Sequence, residues 1–107
     1  MGSSRAIANY EQLSALTRQM REAAEQGEWD KLISIEHQCS ELVATMKAID
    51  AAVTLDDAAR RRKDQLIADI LADDAEIRNH VQVWMGQLQH NMQSNRQEQL
   101  VLKAYGA

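Results

Sequence analysis

Not one proline interrupts the 107 residues of this chain, and glycine occurs only four times. These are the residues that break helices and open turns. Long stretches therefore run without a breaker, and their apolar residues recur at three- and four-residue steps rather than in alternation. This combination predicts an all-α fold. Aromatic residues are restricted to Trp29, Trp84, Tyr10 and Tyr105, so the core has to be built from Leu, Ile, Val, Met and Ala. The length suits one domain, with a core modest enough that pairing with another polypeptide is expected.

The spacing predicts an antiparallel helix bundle: three long helices over about 4–26, 28–52 and 55–92, then a short C-terminal helix over about 96–104. In the first, Tyr10, Leu13, Leu16, Thr17, Met20 and Ala24 share one stripe, and Gly27 stands where a helix ends at little steric cost. The second carries Trp29, Leu32, Ile35, Cys39, Val43 and Met46, flanked by Ile33, Leu42 and Ile49, a wide arc that suits two neighbours. Thr54 reads as the cap of the third, answered by Asp57. That helix has a main stripe of Leu66, Ile70, Ile77, Val81, Trp84, Leu88 and Met92, and an offset one of Ile67 and Leu71. The pattern loosens near Ser94 and Asn95 before Leu100, Val101, Ala104 and Tyr105, with Gly106 as the stop.

Several function classes find no support. A net charge of −4 offers no basic surplus for phosphates, so nucleic acid is not expected as a partner. No apolar run approaches the ~20 residues of a membrane span, and Met1-Gly2-Ser3-Ser4-Arg5 lacks the apolar stretch of a secretory signal. The single cysteine, Cys39, has no disulfide partner in the chain. Together these point to the cytoplasm. The residues three before His37, His80 and His90 are Ser34, Ile77 and Gln87, so the Glu-x-x-His pairs of a di-iron bundle are missing. Glu76 and His80 read as a solvated pair, and Cys39 as a small hydrophobe on the core stripe. No metal, cofactor or catalytic residue is expected. The basic run Arg60-Arg61-Arg62-Lys63 is offset by Asp56, Asp57 and Asp64 and reads as a solvated helix face.

The stretch 79–95 holds no Asp, Glu, Lys or Arg, in a protein that is 26% charged. Interface cores lose charge and gain aromatics and methionine, and Trp84, Met85 and Met92 follow that tendency; a well-buried helix explains the same pattern. Val83 lies opposite the core stripe.

Three segments resemble a known family. Gly27-Glu28-Trp29-Asp30-Lys31-Leu32 looks like the step between the first two helices of FliT-type flagellar export chaperones. Asp73-Asp74-Ala75-Glu76-Ile77-Arg78 is similar to the acidic-Ile-Arg segment of the family's third helix, and Leu102-Lys103-Ala104-Tyr105-Gly106 to its ending. The resemblance implies a cytoplasmic chaperone that holds the C-terminal segment of the filament cap protein FliD, keeps it from assembling early and brings it to the flagellar type III export apparatus. Some such proteins also bind the FlhDC regulator and affect transcription, and their C-terminal helix can cover the binding surface. On this footing Ile67, Leu71, Val83 and Trp84 are the candidate client-binding groove, in the manner of an amphipathic helix laid on spaced apolar anchors. Leu100, Val101 and Tyr105 are the candidate autoinhibitory lid. Two other classes stay open. One is a structural coiled-coil or homodimeric adaptor. The other is an all-helical chorismate mutase, which needs converging cations such as Arg18, Arg21 and the Arg60 cluster.

Overall fold

The computed structural model describes the backbone of residues 2–88 and 95–105 and the side chains of 4–87 and 99–105. Four helices account for nearly all of it: α1 (Gly2–Glu25), α2 (Trp29–Ala52), α3 (Asp57–Leu88) and α4 (Asn95–Tyr105). Among the described residues there is no strand. The fold is all-α, as expected. The stretch expected to carry the third helix on to Met92, and the Gly106 stop, lie outside the described residues.

The first turn is set by backbone hydrogen bonding. The amide of Glu28 donates to the carbonyl of Ala23 at 2.8 Å, and that of Gly27 to Ala24 at 3.2 Å. This is the crossed pair that closes a helix on a left-handed residue, and Gly27 has φ +72°. The second turn departs from expectation. Thr54 and Leu55 lie outside the helix, and the cap is Asp56, whose carboxylate accepts from the amide of Ala59 at 2.8 Å. Thr and Asp are both good caps, so three such candidates within four residues left the start ambiguous.

Helix directions follow from side-chain pairs. Tyr10 donates to Asp50, and the sulfurs of Cys39 and Met20 lie 3.6 Å apart, so α1 and α2 are antiparallel. Arg62 meets Glu11 at 3.7 Å and Arg21 meets Asp73 at 2.8 Å, so α1 and α3 run parallel. Helix α1 is the central element, packed on both α2 and α3. It presents small side chains to them, with Ala6, Ser14, Thr17, Ala23 and Ala24 all buried, which lets its two neighbours approach closely. Helix α4 packs against α2 and α3 at one end of the bundle. There the largest buried cluster forms, from Met20, Trp29, Leu32, Ile35, Ile77, Val81 and Val101.

Val43 departs from its expected core position and is 36% exposed, while Met46 one turn on is buried. The α2 arc is wide, and α1 alone does not cover its far edge.

Candidate docking surfaces

Helix α4 is eleven residues long and carries apolar side chains on more than one face. Val101 is wholly buried in the end cluster. Tyr105 packs against the same cluster, with the Arg78 guanidinium 5.7 Å from its ring centroid. Arg78 is itself held by Asp74 through a 2.8 Å hydrogen bond, which together with its charge raises the arginine further above its ordinary value. Burial pushes the Tyr105 hydroxyl up, helped by the nearby carboxylates of Glu36 and Asp74, and the hydroxyl has no hydrogen-bond partner among the described residues. Leu100 and Leu102 point outward and are 38% and 46% exposed. Of the three candidate lid residues, two are therefore seated in the core cluster, while Leu100 edges a crevice of about 300 Å³ with Ile33, Glu36, His37 and Ser40 of α2.

The four candidate groove residues do not share one surface. Ile67 and Leu71 precede Asp74 and Arg78 by seven residues each and so lie on the side of α3 that faces α4. There Ile67 is half-buried and Leu71 is 62% exposed. On α2, Val43 follows Glu36 at the same seven-residue step. The faces that hold α4 thus continue past Tyr105 with apolar Val43, Ile67 and Leu71, which no other described helix covers. Val83 and Trp84 lie elsewhere. Val83 is on the opposite side of α3, 57% exposed. Trp84 is half-buried and stacks on buried Trp29 with ring centroids 4.5 Å apart and planes 27° from parallel. Sequence reasoning put Val43 in the core and passed over Leu102. The exposure of Val43 depends on how far α4 reaches along α2, which periodicity does not encode.

Some groups are positioned by charge. Asp73 is buried and is held by Arg21, which also reaches Glu25 at 3.4 Å. Lys63 of the basic run lies 5.3 Å from the Tyr10 ring centroid, and Arg60, Arg61 and Arg62 are exposed. The Cys39 thiol is pushed up to about 11 by burial and then by Glu36, which keeps it protonated and a poor nucleophile at neutral pH. Among the described residues, no three His, Cys, Asp or Glu side chains gather as a metal site needs, and no helix is long and apolar enough to cross a membrane.

A family profile described as flagellar protein FliT matches residues 7–107, nearly the whole chain. The chain belongs to the FliT family. FliT proteins are flagellar export chaperones. Nothing among curated proteins or solved structures matches the chain. The three segments that resemble the family meet at one place in this FliT protein. Gly27 closes α1, Trp29, Leu32 and Ile77 line the end cluster, Asp73 pairs with Arg21, and Tyr105 packs on the cluster beneath Arg78. They are therefore chiefly the residues that fasten α2, α3 and α4 together.

Proposed function

We propose that this protein holds the C-terminal segment of the filament cap protein FliD before flagellar export, and that it receives an amphipathic helix of that segment along the strip containing Ile67 and Leu71. The observation that carries this reading is the shortness of α4. Eleven residues span roughly 16 Å at 1.5 Å each, against a long dimension of 52 Å for the molecule. Among the described residues, much of the space beside α2 and α3 therefore has no fourth helix, and the part next to Tyr105 carries apolar Val43, Ile67 and Leu71. A client helix supplying apolar residues at three- and four-residue spacing would continue the bundle where α4 leaves off. Val83 and Trp84 take no part in this reading.

Helix α4 is a lid in the same proposal. Val101 and Tyr105 occupy apolar surface that a longer client helix would use, and the two compete. The cytoplasmic location, and the wider partner set of FlhDC and export apparatus components, are carried over from the family.

The test is a titration of the full chain with a peptide of the FliD C-terminal segment. Leu71→Asp and Ile67→Asp are expected to weaken binding tenfold or more, about 1.4 kcal/mol, with circular dichroism unchanged. Equal affinity in both variants would remove the strip from the client site. Ending the chain after Asn95 is expected to tighten binding, and an unchanged or weaker affinity would rule out the lid.

A further inference from the structure

On the side of α3 turned away from Ile67 and Leu71 there is a second concave surface. It is a crevice of about 310 Å³ between the end of α1, the Gly27 turn and α3, lined by Glu25, Gly27, Trp29, His80, Val83 and Trp84 among others. Its floor is the stacked tryptophan pair. Its wall is Val83, 57% exposed. Among the described residues, no further helix packs on it. The strip on the other side of α3 is the proposed client site, so this crevice is a separate feature.

Charge distinguishes what would fit here. Asp69, Glu76 and Val83 stand at seven-residue steps and share one face of α3. Glu22 and Glu25 edge the same side of α1. Asp69, Glu76 and Glu22 are exposed and make no ion pair among the described residues. Of the two nearby cations, Arg21 is committed to Asp73 and Glu25, and Arg18 stands one turn before Glu22 and two before Glu25, with no ion pair to either among the described residues. The residues of α3 next to Val83 are uncharged. An apolar and aromatic crevice approached along carboxylates is complementary to a cation on an aliphatic stem: the methylenes pack on the wall, and the charge sits between an indole face and the carboxylates.

We propose that the Trp84–Val83 crevice is a second docking site, taking a basic segment of a partner polypeptide with an arginine or lysine stem laid along Val83 and its head group directed to Glu76. The site lies across α3 from the client strip, so such a partner and a client helix bind at once. The proposal is independent of the identity of the client.

The test uses the uniformly labelled full chain and a capped hexapeptide of alternating arginine and leucine, with a glutamate-for-arginine version as its counterpart. Titration at low salt is expected to move the amides of 24–29 and 80–87 first and to quench tryptophan emission. Binding is expected to weaken at least tenfold in Val83→Ser and in Glu76→Lys, both at exposed positions, and to be unchanged in Leu71→Asp. Raising salt from 0.05 to 0.5 M is expected to weaken it as well, because the interaction shortens with the Debye length. Four outcomes would overturn the proposal: shifts spread over all acidic surfaces, shifts centred on 67–71, equal binding of the acidic peptide, or full affinity in both variants. A concentration-dependent dimer abolished by Val83→Ser would overturn it too, since the patch would then be covered by a second copy.

Discussion

Two glycines in this FliT protein answer to opposite requirements. Gly27 has φ +72°, a conformation that costs an L-residue roughly 1–2 kcal/mol. Gly86 lies within α3, and a Cβ there would meet nothing within 4 Å. Gly27→Ala is thus expected to destabilise by about 1 kcal/mol and Gly86→Ala to stabilise by about 0.5–1 kcal/mol through the entropy of the open chain. Urea midpoints would show the opposite signs, and a stabilising Gly27→Ala would contradict the turn geometry. Arg21 and Asp73 differ in the same asymmetric way. Asp73 is buried and has Arg21 as its ion-pair partner, while Arg21 retains Glu25 and is one-third exposed. Arg21→Ala is expected to cost about 1–3 kcal/mol, the penalty for leaving a desolvated carboxylate unpaired. Asp73→Ala is expected to cost less, and the same denaturation series ranks the two.

At the scale of the element, α4 is the shortest of the described helices, at eleven residues. Among its described side chains Val101 is buried and Tyr105 half-buried. Burying a valine is worth roughly 1.5–3 kcal/mol, whereas an unpaired carboxylate in the same place costs several kcal/mol. Detachment of one short helix is a cheaper response than global unfolding. Val101→Asp is therefore expected to release α4, with a loss of helical signal no larger than the share of eleven residues in 107 and a rise in binding of a hydrophobic dye. Loss of all helical signal would show that α4 is needed for the bundle itself.

For the whole molecule, three proton-holding groups set the alkaline limit. Burial, with the Asp50 hydrogen bond and charge, pushes Tyr10 up to about 12. Burial pushes Cys39 up to about 11 and raises Tyr105 as well. Each binds its proton more firmly in the folded chain than in the open one. Their contribution is complete below the ordinary thiol value of 9.0 and is lost as pH climbs towards the raised ones. Stability is expected to fall above pH 9, and to fall less steeply in a Cys39→Ala, Tyr10→Phe double variant. Urea midpoints at several alkaline pH values check this, and identical slopes would contradict it.

The absence of proline and the three- to four-residue apolar steps were enough to determine from the sequence alone that this chain is all-α, where its first two turns fall to within a few residues, and that side chains such as Leu32, Ile77 and Met20 are buried. Gly27 was legible because only a left-handed residue closes a helix that way. The family was legible in three short segments whose residues serve the packing of helices against one another. Periodicity places a residue on a face of its own helix and says nothing of what stands opposite. That α4 covers the side of α3 next to Leu71 and not the side of Val83, that Trp84 stacks on Trp29, and that Val43 is left uncovered were decided only by tertiary structure, because each depends on which element stands opposite a given face.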